Sequence, residues 1–265
     1  MCRIAAYIGE ETKIENIVYN FPHNLEVQSY APKELIAGNV NLDGFGCAWY
    51  NREVDPQPAK YATLLPIWAD YNFPTIARAT KSEIIFAAVR NATPPFPNEL
   101  SSVQPLVLED HLFVHNGSIF EYEKIRRTLE NDLPDKYFNM ISSRSDSALL
   151  FAAFIWQFSE LEEGKKSISA ALINTLDWLG THLSESDRSA NLNIGISDGI
   201  EVVFIRHEIR GKCNSLYYNS SHEALTGGTL VASEALDEDA GWTVIPENSM
   251  LQIKQGQKPK LSNLK

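Results

Sequence analysis

Between residues 119 and 179 the apolar residues recur at helical spacing, and on either side of that block they gather into short strand-like runs. The leading strands are expected at residues 2–9, at 43–50 behind an Asp-Gly turn, at 60–65, at 84–90 and at 111–117. The run 84–90 is almost wholly apolar, as a strand covered on both faces must be. The run 111–117 closes on Asn116-Gly117, which reads as a turn. Three helices are expected: 119–130, a second starting after Ser145, and a third over 166–179 that Gly180 stops. Strand signals return at 192–197, 199–206, 215–218, 229–233 and 250–253. Strands, then helices, then strands again is not the alternation of a doubly wound sheet. It suits two stacked sheets flanked by helices. We expect one α+β domain over residues 2–253 and a polar, loose tail at 254–265.

Charge and cysteine content narrow the function. Lys+Arg 23 against Asp+Glu 34 leaves a net charge of −11, which argues against a nucleic-acid binder. The longest apolar run, 148–157, holds about ten residues, where a membrane span needs roughly 20. No basic region followed by an apolar stretch opens the chain, so no signal peptide and a cytoplasmic location are expected. The cysteines are Cys2, Cys47 and Cys213, with no CxxC pair, which gives neither a disulfide framework nor a zinc site. His111 and His115 lie four apart in a strand-like segment without companion ligands, so no metal is expected.

Cys2 follows the initiator directly, and its small side chain permits removal of Met1. The exposed residue would then carry a thiol of pKa about 8.5 beside an α-amine of about 7.7–8.0, so one can take the other's proton near neutral pH. Nucleophile and base then belong to one residue. The bland alternative is a small buried residue in a strand. Other features bear on the choice. In Ala88-Val-Arg-Asn-Ala-Thr93 an arginine leaves a buried strand; His115-Asn-Gly117 offers a side-chain amide and an unobstructed backbone N–H; Ser143-Arg-Ser-Asp-Ser147 puts an acid at the start of a helix. Singly, these read as a surface arginine, a turn, and an acid complementing a helix dipole.

In this order after Cys2, they resemble the class II glutamine amidotransferases, which are N-terminal-nucleophile hydrolases. The resemblance runs almost the full length, through Asp43-Gly-Phe-Gly46, Val89-Arg-Asn-Ala-Thr93, Phe113-Val-His-Asn-Gly117, Ser145-Asp-Ser147, residues 193–199, Ser215-Leu-Tyr-Tyr218 and Val231-Ala-Ser-Glu234. It implies a four-layer αββα sandwich of two mainly antiparallel sheets. It also implies hydrolysis of a γ-glutamyl amide through a Cys2 thioester, without cofactor or metal. Asn116 and the Gly117 N–H would form the oxyanion hole. Arg90, helped by Thr93, would clamp the substrate's α-carboxylate, and Asp146 its α-ammonium. Pro94 stands where many relatives have a histidine, and Ala148 where they carry a glutamate.

Val27-Gln-Ser-Tyr-Ala-Pro-Lys33 and Leu65-Pro-Ile-Trp-Ala-Asp70 resemble a stand-alone subgroup that includes the γ-glutamyl hercynylcysteine sulfoxide amidohydrolases of ergothioneine biosynthesis. That implies a small γ-glutamyl substrate whose leaving group carries a trimethylammonium. Trp68 and Asp70 are candidates to hold it, with Trp49 and Tyr71 nearby in sequence. The alternatives are a glutaminase subunit, a hydrolase of glutathione-like compounds, and a catalytically silent γ-glutamyl-binding module. Neither nucleic acid nor membrane is expected as a partner, and no ammonia-using domain is seen after the last strand. Self-association and pairing with a separate synthase subunit both stay open.

Overall fold

Alternate residues of the first strand point to opposite faces, and both faces are buried. Ile4, Ala6 and Ile8 pack into one apolar cluster, while Ala5 and Tyr7 pack into another. The computed structural model describes residues 2–34, 40–92 and 98–264. The first part of the chain runs β1 (Arg3–Lys13), α1 (Ile14–Val18), α2 (Leu25–Tyr30), β2 (Phe45–Asn51), β3 (Asp55–Thr63), α3 (Phe73–Ala79) and β4 (Lys81–Val89). The middle runs β5 (Leu106–Leu108), β6 (His111–Ile119), α4 (Tyr122–Asp132), α5 (Asp135–Phe138), α6 (Asp146–Glu160) and α7 (Ile168–Ser186). It closes with β7 (Ala190–Ser197), β8 (Glu201–Ile209), β9 (Tyr217–Asn219), β10 (Gly228–Ala232), β11 (Thr243–Val244), β12 (Ser249–Lys254) and β13 (Lys260–Asn263).

Two antiparallel sheets result, in the orders β11-β9-β10-β1-β4-β2-β3 and β13-β12-β8-β7-β6-β5. Their facing surfaces share a core that includes Ile4, Ile84, Phe86 and Ala88 of the first sheet and Leu112, Val114, Val202 and Phe204 of the second. The Phe86 and Phe204 rings meet across the gap with centroids 5.6 Å apart. The outer face of the first sheet is covered by apolar residues of α1, α2 and α3, such as Ile14, Leu25 and Phe73. The outer face of the second is covered by α4, α6 and α7, through residues such as Leu129, Phe151 and Leu176. This is the αββα layering expected above, and it explains why 84–89 is apolar throughout: β4 is buried on both faces.

Three local expectations give way to tertiary contacts. Asn116-Gly117 is not a turn, since β6 continues to Ile119, which pairs with Ala190 of β7. Gly180 does not stop α7, which runs to Ser186 and ends at Asp187 with a left-handed φ of 55°. The polar segment after 253 is not loose along its length: β13 pairs with β12, Leu261 opposite Leu251, and so extends the second sheet.

Candidate active site

Strand register places the site at one end of the sandwich. Arg3 of β1 lies opposite Val89 of β4, so the next residue on β4's exit, Arg90, falls beside Cys2. A cavity of about 50 Å³ opens there, and Cys2, Arg90, His115, Gly117 and Asp146 line it. The Asp43-Gly-Phe-Gly46 turn holds the arginine's backbone. Arg90 N–H donates to the Gly44 carbonyl at 2.9 Å, Asp43 N–H donates to the Arg90 carbonyl at 3.1 Å, and Asp43 Oδ2 accepts from Ala92 N–H at 2.8 Å. Gly44 has a φ of 122°, a conformation that favours glycine, and a Cβ at Gly46 would run into the Gln104 carbonyl. The Arg90 side chain is buried and donates to Asn98 Oδ1 at 2.5 Å.

On the opposite wall, the backbone of β6 presents a row of N–H groups. His115 N–H donates to Gln104 Oε1 at 2.5 Å, and Ile119 N–H donates to Asp146 Oδ2 at 2.9 Å. Every second residue of a strand points its backbone groups to the same side. Gly117, between these two, therefore directs its N–H away from β7 and past β5, whose pairing with β6 stops at Phe113. That N–H meets no acceptor among the described residues. Gly117 is also obligatory on steric grounds, because a Cβ would collide with the Asn191 carbonyl oxygen and His115 Nε2.

Asp146 is the first residue of α6, whose start is capped by Ser145 Oγ accepting from Ala148 N–H at 3.2 Å. Its Oδ1 accepts from Ser147 N–H at 2.8 Å, so both carboxylate oxygens are oriented and each keeps lone pairs for a ligand. His115 ties β6 to the same helix. Its Nε2 lies 3.1 Å from the Asn191 carbonyl, which only accepts, so Nε2 carries the proton and Nδ1 accepts from Ser147 Oγ at 3.0 Å. Both ring nitrogens are thus engaged by protein.

Asn116 points the other way, into the space between the sheets, and is fully buried. Its Nδ2 donates to Ser233 Oγ at 3.2 Å, and its Oδ1 accepts from Asn214 Nδ2 at 3.3 Å. Behind β1, on its outer face, the fully buried Arg3 guanidinium lies 3.5 Å from Glu234, which also accepts from His23 Nε2 at 2.7 Å and from the backbone of Lys33 and Glu34. Burial works to raise the Glu234 carboxyl, but His23, the two N–H groups and Arg3 outweigh it and hold it below the usual carboxylate range.

No family model matches the chain. The gamma-glutamyl-hercynylcysteine sulfoxide hydrolase of Mycobacterium tuberculosis is 28% identical over 258 residues, spanning 96% of this chain and 94% of that protein. The Saccharomyces cerevisiae protein named "Probable glutamine amidotransferase DUG3" is 27% identical over 294 residues, spanning 96% and 82%. A glutamine aminotransferase class-II domain protein from Silicibacter pomeroyi superposes over the full length of both chains with a TM-score of 0.72 at 22% identity. The chain has the class II glutamine amidotransferase fold. The glutamine phosphoribosylpyrophosphate amidotransferase of Bacillus subtilis shares it at a TM-score of 0.66 and 16% identity, with this chain covering 49% of that enzyme.

Within this class II fold, Cys2, Arg90, Gly117 and Asp146 surround one cavity, while Asn116 lies behind it with its amide held from both sides. Thr93 and Pro94 lie outside the described residues. Asp70 and Trp68 are not brought to the cavity. The Asp70 carboxylate is buried and occupied: Oδ1 accepts from the N–H groups of Asn72 and Phe73 at the start of α3, and Oδ2 accepts from Tyr61 at 2.5 Å. Trp68 is half-exposed against the Tyr30 ring, centroids 5.9 Å apart. Trp49 packs on the outer core of the first sheet. Ala148 is buried in α6. Sequence reasoning missed Gln104 and Asn214, and it passed over Ser147, Ser233 and His115 inside its motifs without giving them a role, weighing His115 beside His111 only to reject a metal site. The available signal was polar residues in segments that otherwise read as buried strands, as in His111-Leu-Phe-Val-His-Asn116.

Proposed function

We propose that the chain hydrolyses γ-glutamyl amides, with Cys2 as nucleophile once Met1 has been removed. The observation that carries this reading is the cavity itself: a thiol, an uncommitted backbone N–H, an arginine and an aspartate converge on it. A cation and an anion on opposite walls complement the zwitterionic end of a glutamyl group, Arg90 taking the α-carboxylate and Asp146 the α-ammonium. The Cys2 α-amine takes the thiol proton, and Sγ adds to the γ-carbonyl carbon. The resulting oxyanion accepts from Gly117 N–H and from the second Nδ2 hydrogen of Asn116. The C–N bond then breaks, the α-ammonium returns its proton to the leaving nitrogen, and a thioester remains. Water, deprotonated by the same amine, adds to the thioester, and Sγ departs to leave glutamate.

The preferred substrate is γ-glutamyl hercynylcysteine sulfoxide. The mycobacterial hydrolases named for it span nearly their whole length in the match, 94% for M. tuberculosis and 96% for Mycolicibacterium smegmatis, against 82% for the yeast protein. The yeast protein's name supports the second reading, glutamine as substrate. The test is glutamate release by protein whose intact mass places its N-terminus at Cys2, offered the sulfoxide, glutathione and L-glutamine separately. Preference for the sulfoxide is the expected result. Preference for glutamine or glutathione overturns the substrate and keeps the chemistry, and no release from any of them overturns both.

A further inference from the structure

An oxyanion donor is useful only if it is already aimed when charge develops. A carboxamide is symmetrical in shape, so something must decide which end of Asn116 faces the reacting carbonyl. The surroundings supply an acceptor at one end and a donor at the other. Asn214 Nδ2 donates to Asn116 Oδ1 at 3.3 Å and to the Asn116 carbonyl at 3.0 Å. Ser233 Oγ accepts from Asn116 Nδ2 at 3.2 Å. Flipping the amide would set its NH2 against the Asn214 NH2, two donors facing each other, so Asn214 selects the orientation; the Ser233 hydroxyl, able to donate or accept, then holds the Nδ2 end in place. Asn214 is in turn fixed from β7, where Asn193 Nδ2 donates to the carbonyls of Asn214 and Ser215 at 3.2 and 3.1 Å.

Ser233 does a second thing. Its Oγ also accepts from Ile4 N–H at 3.0 Å, while Ser233 N–H donates to the Ile4 carbonyl at 2.9 Å. Ile4 is two residues from the nucleophile. One fully buried hydroxyl oxygen therefore ties the strand that carries Cys2, in the first sheet, to the amide of Asn116, in the second. We infer that Ser233 and Asn214 are positioning residues. Together they hold the Asn116 amide in its donating orientation, and Ser233 sets its distance from Cys2 by binding the Ile4 N–H and the Asn116 amide at once. This deepens the hydrolysis reading above and rests on it.

A positioning role has a kinetic consequence that a merely structural role does not. Neither residue touches the Arg90 and Asp146 clamp, so substrate binding is spared and the loss falls on turnover. Ser233→Ala is expected to lower kcat about tenfold or more with KM unchanged, and Ser233→Thr, which keeps the hydroxyl, to restore most of it. Asn116→Ala alone is expected to lower kcat by about 10²–10³-fold, as loss of an oxyanion donor does elsewhere. The deciding measurement is the double variant. If Ser233 acts through Asn116, then Ser233→Ala changes kcat by less than about twofold once Asn116 is already alanine. The same cycle with Asn214→Ala is expected to be equally non-additive. Glutamate release by the unsubstituted protein, run alongside, tests the hydrolysis reading by itself. An active parent with additive losses in the cycle overturns the positioning role alone; an inactive parent overturns the hydrolysis reading and the positioning role with it.

Discussion

Asp146→Asn removes a charge and little volume, and the structure says what each consequence should cost. In the native site Oδ2 accepts from Ile119 N–H at 2.9 Å and Oδ1 from Ser147 N–H at 2.8 Å. Asparagine keeps a single carbonyl oxygen, so its NH2 must face one of those two donors. Leaving one such group unsatisfied costs stability of about 1–3 kcal/mol. On the substrate side, a hydrogen bond to a charged group is worth about 1.5–3 kcal/mol, and 1.4 kcal/mol is about a factor of ten. KM for a γ-glutamyl amide should therefore rise about ten- to hundredfold. The ammonium is bound equally in ground and transition states, so kcat should stay within about threefold. The assay is initial-rate glutamate release over a substrate series, with a thermal melt to confirm that the variant is folded. A matched substrate lacking the α-amine, the glutaryl amide of the same leaving group, completes a cycle. The native enzyme should discriminate against it by the factor that Asp146→Asn costs, and the variant should discriminate hardly at all. If the variant still prefers the α-amino substrate as strongly as the native protein does, Asp146 does not hold the ammonium.

Other consequences follow from the burial and packing of individual residues. Burial pushes the Cys213 thiol up to about 11 and pushes buried Cys47 further still, so iodoacetamide at about pH 8 should label the native chain at Cys2 alone; peptide mass mapping that finds early label on either of the others refutes their burial. A Cβ at Gly180 meets nothing within 4 Å in the middle of α7, so Gly180→Ala should stabilise the protein by about 0.5–1 kcal/mol in urea unfolding, and a loss would mean the helix is broken there. Glu234→Gln strips the fully buried Arg3 of its counter-charge and should cost about 3–5 kcal/mol at neutral pH. The carboxyl's folded pKa is depressed, so its contribution is fully present above the ordinary value of about 4.3 and is lost as pH falls through the lower folded value. The gap between native and variant unfolding curves should therefore narrow on acidification, and a gap constant down to about pH 3 contradicts the assignment.

The layers were legible because period-two and period-3.6 patterns report burial, and burial is what a layered fold distributes. β4 reads as a two-sided strand from Ile84 to Val89, and α6 and α7 were placed by their apolar repeats. Helices of five, six and seven residues, as α1, α2 and α3 are, hold too few turns to register a period at all. The errors at Asn116-Gly117 and Gly180 have a common origin. Each is a residue pair or residue type whose local preference is a turn or a stop, worth about 1 kcal/mol, set against a whole ladder or a packed helix face. At Gly117 the local signal was real but its meaning was different. The glycine is there because the Asn191 carbonyl oxygen and His115 Nε2 leave no room for a Cβ. β6 stays paired with β7 through this segment, and on its other edge Gln104 and Asp146 anchor the N–H groups of His115 and Ile119 on either side of Gly117. Neither anchor is near Gly117 in sequence, so a motif could suggest the oxyanion donor proposed above, but that its N–H meets no acceptor among the described residues could be seen only in three dimensions.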